Sequence, residues 1–150
     1  MSNKKRPKTR PGLLASLVKQ PKLSEPDTTF FKLNPAWRIG RLEMCDPFGW
    51  HEIGKEKLEE IRNKLAVFEN STWKDILLIA KKNHHPIAVE DLDAAAQRRL
   101  RELGIDDIDS LISLKLSATE RMFGIRRDIA LSLLWWDPHH LVCPSHLKHT

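Results

Sequence analysis

The feature that most constrains this chain is a series of three short extended segments near its C-terminal end. Leu111–Leu116 and Glu120–Arg127 show partial alternation of apolar and polar residues, and Ile129–Trp136 is a dense apolar run bounded by turn residues. The connections between them are too short to hold a crossover helix, so the segments are expected to pair as an antiparallel meander. A doubly wound parallel sheet is excluded, because strands and long helices do not alternate here.

The segments upstream of the meander predict one strand followed by two to three helices. Apolar spacing and turn residues favour N-caps at Ser71 and Asp93 for the second and third helices. We expect an α+β fold in which the helices cover one face of the sheet. The predicted strand and helices are Phe30–Met44, Lys55–Phe68, Thr72–Lys82 and Ala94–Leu103.

The net charge of the chain, +5, is confined to its N-terminal end. Residues 1–28 hold seven basic and two acidic side chains, so the remaining residues carry equal numbers of each sign. We predict a flexible basic arm over 1–28 and a single α+β domain over 29–150. The arm is either a non-specific ligand for nucleic-acid phosphates or a solubilising leader. Its candidate nucleic-acid-binding residues are Lys4, Lys5, Arg6, Lys8 and Arg10.

Composition and motifs exclude several other classes of protein. The chain is 41% hydrophobic and 30% charged, which is typical of a globular domain, and it contains no apolar run long enough to span a membrane. Two cysteines argue against a disulfide scaffold and favour a reducing, cytoplasmic location. The sequence contains no phosphate-binding glycine loop, no dinucleotide fingerprint and no zinc-protease motif.

The segment Glu120–Arg127 is the first candidate site. In a strand, Arg121 and Arg127 fall on one face while Glu120 and Arg126 fall on the other. Arginine on a rigid sheet suits the binding of phosphate, because the guanidinium presents a planar fork to oxyanions. The alternative is that these arginines form salt bridges with neighbouring carboxylates.

The histidine-rich end is the second candidate. His139 and His140 follow the last strand directly, and histidine is the commonest general acid or base. His140 is the candidate closest to the sheet, while His146 and His149 are typical of a polar terminus. Lys148 is a further candidate for nucleic-acid binding.

Two other constellations are open to more than one interpretation. Cys143-x-x-His146-x-x-His149 offers ligand types that suit zinc, with His140 or Cys45 as a fourth ligand. Aromatic residues can stack on bases, but Trp135 and Trp136 are neighbours in a strand and point to opposite faces. At most one of them can therefore face a ligand, and we predict that both belong to the core.

The segment Arg121–Pro144 (RMFGIRRDIALSLLWWDPHHLVCP) resembles the C-terminal end of RelE/ParE-type toxins of bacterial toxin–antitoxin pairs. The resemblance implies ribosome-assisted cleavage of mRNA without a cofactor, leaving a 2′,3′-cyclic phosphate, and neutralisation by an antitoxin protein. By position, Glu120 resembles the strand carboxylate, Arg121 and Arg126 the phosphate-binding arginines, and His140 the terminal acid or base. Some members of the superfamily poison DNA gyrase instead.

Two functional hypotheses follow from the sequence. The first is a toxin-like, metal-independent endoribonuclease that acts by general acid–base attack of the ribose 2′-OH. The second is a non-enzymatic nucleic-acid-binding or protein-interaction module of phage or mobile-element origin. RNA or the ribosome is the expected partner in the first case, and neither hypothesis involves a membrane.

Overall fold

The structure is a computed structural model that describes residues 28–144. These residues form an α+β fold with one five-stranded sheet and two α-helices. The strands are β1 (Ala36–Arg38), β2 (His84–Ala88), β3 (Ser110–Lys115), β4 (Arg121–Arg127) and β5 (Ala130–Asp137), and the helices are α1 (Lys55–Glu69) and α2 (Ala94–Glu102). Short 3₁₀ turns lie at Thr29–Lys32 and Val89–Asp91, and a π-helical segment at Asp75–Ile79.

The sheet is mixed, with strand order β1-β5-β4-β3-β2. Strands β3, β4 and β5 form the antiparallel meander that the sequence predicts, and β2 adds to β3 in the antiparallel sense. Strand β1 pairs with β5 in parallel, with Trp37 opposite Leu131. The sheet therefore contains two strands beyond the meander, one at each edge.

The edge strands are the part of the sheet that local sequence patterns predict least well. The predicted strand Phe30–Met44 is reduced to β1, because its first residues form a 3₁₀ turn and its last residues form a loop. Strand β2 is absent from the sequence prediction, in which residues 83–86 end a helix. Pro86 lies in the middle of β2 and lacks an N–H, so only an edge strand can accommodate it.

Both faces of the sheet are covered, so the expectation of helices on one face is wrong. Helix α1 packs on one face, through Ile61 and Phe68 against side chains such as Leu114 and Met122. Helix α2 packs on the opposite face, against Phe123 and others. The physical reason is that alternate residues of β3, β4 and β5 are largely apolar on both sides, which gives the sheet two faces to bury. We call these the α1 face and the α2 face.

A β-bulge lies where the meander changes its alternation. Phe123 pairs with Trp135 and Gly124 pairs with Leu133, so Leu134 of β5 has no paired residue in β4. As a result Leu134 and Trp135 both face α2. Gly124 is required here, because a Cβ would lie 2.7 Å from the carbonyl oxygen of Ser132.

The helices agree in part with their predicted bounds. Helix α1 matches its prediction closely, and α2 begins after Asp93, whose carboxylate accepts a hydrogen bond from the Ala95 N–H. The predicted second helix is reduced to the π-helical segment Asp75–Ile79 and its first turn. Its cap is Thr72 and not Ser71, because Thr72 and Asp75 exchange reciprocal side-chain hydrogen bonds.

No helix among residues 28–144 is both long and apolar enough to cross a membrane.

Candidate functional site

A cleft of about 160 Å³ opens on the α2 face near the start of β4. Three strands of the sheet, the segment before β2 and the turn after β5 contribute to it. Both Arg121 and His140 line it, although 18 residues separate them in the chain. We call it the Arg121 cleft. Its lining includes Lys82, His85, Ser113, Arg121, Phe123 and His140.

Arg121 is held in place by the turn that precedes β4. Its Nη1 donates to the carbonyl oxygen of Ser117 at 2.8 Å and to that of Glu120 at 2.9 Å. Burial lowers the pKa of Arg121 from its ordinary value, and the nearby charge of Asp137 opposes this shift. The guanidinium is therefore a fixed and partly desolvated cation, which strengthens its attraction for an anion.

The turn after β5 places His140 at the cleft. The buried carboxylate of Asp137 accepts hydrogen bonds from the backbone N–H groups of His139, Leu141 and Val142, at 3.3, 3.0 and 2.8 Å. His140 itself has a φ of +58°, in the left-handed region that residues other than glycine avoid. The carboxylate thus stabilises a turn whose backbone is strained at His140.

Two ionisable cleft residues lie outside the sequence prediction. His85 of β2 lies opposite Ser113, which in turn lies opposite Phe123, so His85 reaches the cleft across β3. Lys82 lines the cleft from the segment before β2. The only signal in the sequence is a run of two lysines, an asparagine and two histidines, which carries no meaning until β2 is recognised as a strand.

A second cation lies beside Arg121. Lys115 is directly opposite Arg121 in the register of β3 and β4, so the two side chains project from the same face. Like charges at directly opposed positions destabilise a sheet. Neither residue forms a salt bridge with any residue from 28 to 144, and the Asp137 carboxylate acts on Arg121 only at longer range. The two cations beside the cleft therefore lack a directly paired carboxylate in the described protein.

Glu120 lies on the other face of the sheet and not in the Arg121 cleft. Its carboxylate accepts hydrogen bonds from Lys57 Nζ at 2.8 Å, from Trp136 Nε1 at 3.2 Å and from the Ser117 hydroxyl at 3.1 Å. Burial opposes the ionisation of Glu120, but these donors outweigh it and lower its pKa. Glu120 therefore joins α1 to the sheet as an ionised, fully hydrogen-bonded group.

Arg126 and Arg127 also lie away from the cleft. The guanidinium carbon of Arg126 is 3.7 Å from the ring centroid of Phe30, on the α1 face. Arg127 pairs with Asp107 at 3.1 Å, and both side chains are largely exposed. The predicted alternation of β4 is thus correct, but it separates Glu120 and Arg126 from Arg121 and His140.

Several predicted residues lie outside the described part of the chain. The two histidines of the Cys143-x-x-His146-x-x-His149 constellation are among them, while its cysteine lines the Arg121 cleft. Within residues 28–144, the only group of three or more possible metal ligands close together is Asp46, His51 and Glu52, all exposed. The residues outside the described ranges are Lys4, Lys5, Arg6, Lys8, Arg10, His146, Lys148 and His149.

The tryptophan pair faces opposite sides, as predicted. Trp136 is half-buried on the α1 face, and Trp135 is fully buried on the α2 face. Trp135 Nε1 donates to Glu43 at 2.8 Å, and Arg99 binds both oxygens of the same carboxylate at 2.9 and 2.7 Å. Burial of Glu43 opposes its ionisation, but these donors outweigh it and lower its pKa. The sequence patterns single out neither Glu43 nor Arg99.

No protein-family model, no curated protein and no solved structure matches this chain. The function is therefore inferred from the residues of the cleft and from their chemistry.

Proposed function

We propose that this protein is a metal-independent endoribonuclease that cleaves single-stranded RNA in the Arg121 cleft. The observation that supports this proposal most directly is that two histidines, His85 and His140, line the same cleft as Arg121. Two imidazoles supply a base and an acid, and an arginine supplies charge for a phosphate.

The proposed reaction is transfer of the phosphoryl group within one RNA strand. One imidazole removes the proton of the ribose 2′-OH, and the 2′-oxygen attacks the adjacent phosphorus. The other imidazole donates a proton to the departing 5′-oxygen, so the products are a 2′,3′-cyclic phosphate and a 5′-OH. Arg121 and Lys82 stabilise the charge that develops on the non-bridging oxygens. No metal or cofactor takes part in these steps.

This scheme revises the residue roles that the family resemblance implies. Glu120 and Arg126 no longer belong to the reacting groups, because their partners lie on the α1 face. His85 takes the place of the strand carboxylate, and Lys82 that of the second phosphate-binding arginine. Membership of the RelE/ParE-type superfamily, action on ribosome-bound mRNA and neutralisation by an antitoxin remain parts of the same proposal.

A non-enzymatic nucleic-acid-binding module is the second candidate, and the pair Lys115–Arg121 favours it. Two cations without a paired carboxylate, on neighbouring strands, attract a phosphate whether or not a bond is then broken. The two candidates predict the same binding site and differ only in the requirement for the histidines.

A defined RNA distinguishes the two candidates. The full chain is incubated with a labelled single-stranded RNA in EDTA, with and without ribosomes, and the products are identified by mass spectrometry. We expect a 2′,3′-cyclic phosphate, and losses in rate of about 10²-fold or more for His85→Ala and for His140→Gly. His139→Ala is the matched control, because His139 is exposed and does not line the cleft.

The binding module is supported instead if wild-type protein binds the RNA in a salt-dependent manner and releases no product under any condition. Absence of both binding and cleavage contradicts both candidates. Cleavage that survives in the His85 and His140 variants contradicts the proposed roles of those two residues.

A further inference from the structure

A second concave site lies on the α1 face, at the same end of the sheet as the Arg121 cleft. It is a groove of about 450 Å³ between α1 and the start of β4. Glu120 lines the groove and Arg121 lines the cleft, so neighbouring residues of the chain belong to the two sites. We call the site the α1 groove. Its lining includes Ile61, Asn63, Lys64, Val67, Leu116 and Glu120.

Each site has positive charge without a paired carboxylate, because the other charged residues of the groove pair with one another, namely Lys57, Glu60 and Glu120. Lys64 lines the α1 groove, and Lys115 and Arg121 lie beside the cleft. None of these three residues forms a salt bridge within the described part of the chain. A polyanion that occupies the cleft therefore meets further positive charge in the direction of the groove.

His84, in the edge strand β2, is affected by this positive charge. Its Nδ1 accepts a hydrogen bond from the Lys115 N–H at 3.0 Å, so the neutral ring carries its proton on Nε2. Burial, together with the charges of Lys64, Arg121 and others, lowers the pKa of His84 to about 4. His84 thus lies within the electrostatic reach of cations on both sides of the sheet.

The groove combines apolar and polar lining residues. Ile61 and Leu116 are buried in its floor, whereas Val67 is 63% exposed at its edge. Asn63 lines the groove as well, and an asparagine amide can donate to and accept from the edge of a base. A nucleobase has the same division, with two apolar faces and a polar edge.

We propose that the α1 groove binds a nucleobase of the same RNA strand whose phosphate lies in the Arg121 cleft. The strand crosses the end of the sheet past Lys115, and Lys64 contacts its backbone at the groove. This inference rests on the proposed function, and it names single-stranded RNA longer than a dinucleotide as the ligand.

Ligand length separates the two sites experimentally. The probes are a 2′-O-methyl dinucleotide, which has one phosphate, and a 2′-O-methyl hexanucleotide, which resists cleavage because it lacks the 2′-OH. We expect the hexanucleotide to bind more tightly. Lys64→Gln and Val67→Ser should each weaken hexanucleotide binding about three- to tenfold and leave dinucleotide binding unchanged.

Matched controls come from exposed residues that do not line the groove. Ala66→Ser lies beside Val67 on α1, and Lys74→Gln removes a lysine elsewhere on the surface. Neither control should change binding of the hexanucleotide. Lys64→Gln should also reduce the slope of log affinity against log salt by about 0.7, as expected for one lost contact with a single strand.

The outcomes keep this inference distinct from the proposed function. Equal binding of the two probes by wild-type protein, or hexanucleotide binding that the groove variants do not alter, overturns the groove as a base site and leaves the cleft untouched. No binding of either probe overturns both. If Val67→Ser leaves binding unchanged but shifts the elution volume in size-exclusion chromatography, the groove is an interface with a second copy, and the inference is wrong.

Discussion

Lys115 of β3 lies directly opposite Arg121 of β4, so two cations project from the same face beside a cleft that also holds two histidines. Neither cation has a carboxylate partner at salt-bridge distance among residues 28–144. A directly opposed pair of like charges costs stability, which is typical of a site that an anionic ligand completes. This relationship supports the proposal that a phosphate binds in the cleft.

Removing one charge of this pair should stabilise the fold and weaken the function. Lys115→Gln relieves the repulsion with Arg121, and we expect a gain of about 0.2–1 kcal/mol in the free energy of unfolding. The same variant should bind single-stranded RNA more weakly, with a salt slope smaller by about 0.7. Urea denaturation and salt-dependent binding measure the two effects. A loss of stability with unchanged RNA binding would show that Lys115 has only a structural role.

The backbone strain at His140 gives a prediction in which glycine and alanine differ. Because φ is +58° at this residue, His140→Gly should be more stable than His140→Ala by about 1 kcal/mol. Thermal or urea denaturation of the two variants tests this difference. Both variants lack the imidazole, so both should lose RNA cleavage despite their different stabilities. Restoration of activity by glycine alone would contradict the role of the imidazole.

The buried pair Glu43–Arg99 should matter far more than the exposed pair Arg127–Asp107. Arg99→Ala leaves the Glu43 carboxylate, which is 5% exposed, without its main partner, and we expect a loss of about 3 kcal/mol or more. Arg127→Ala breaks a pair whose side chains are 61% and 62% exposed, and less than about 1 kcal/mol should be lost. Equal losses in chemical denaturation would contradict the assigned burial of Glu43.

The neutral imidazole of His84 predicts a dependence of stability on pH. Its folded-state pKa is about 4, below the ordinary value of 6.5, so between these values the unfolded chain binds a proton that the folded chain does not. The free energy of unfolding should therefore fall as pH falls from about 6.5 to 4, by about 1–2 kcal/mol after allowance for partial exposure.

His84→Asn is the matched variant for this measurement. The substituted side chain does not titrate, while its amide oxygen can replace the imidazole Nδ1 as the acceptor for the Lys115 N–H. The stability of the variant should lose this part of its pH dependence. An unchanged pH profile in urea denaturation between about pH 4 and 7 would show that other groups cause the fall.

Local patterns predicted the centre of this fold and not its edges. The meander and the alternation along β4 follow from short connections and from the period of two, both of which are local properties. Strand β2 depends on pairing with β3 over a long separation in sequence. Because proline is disfavoured in strands, Pro86 prevents strand propensity from identifying β2. The covering of both faces depends in the same way on where α2 packs, which periodicity does not determine.

The same distinction between local patterns and long-range pairing applies to the residues of the candidate site. Arg121 and His140 could be predicted because both belong to the meander or to the turn that ends it. His85 and Lys82 could not, since they reach the cleft only through the pairing of β2. The alternation of β4 already implied that Glu120 lies on the opposite face from Arg121, so placing both in one site by resemblance conflicted with the geometry of the strand.

The most direct test of the proposed endoribonuclease activity is the cleavage of a defined single-stranded RNA by the wild-type chain and by His140→Gly, in EDTA, with products identified by mass spectrometry. We expect a 2′,3′-cyclic phosphate from the wild-type protein and a rate lower by about 10²-fold or more from a variant that remains folded. Equal rates for the two proteins, or no cyclic phosphate from wild-type protein with and without ribosomes, would contradict it.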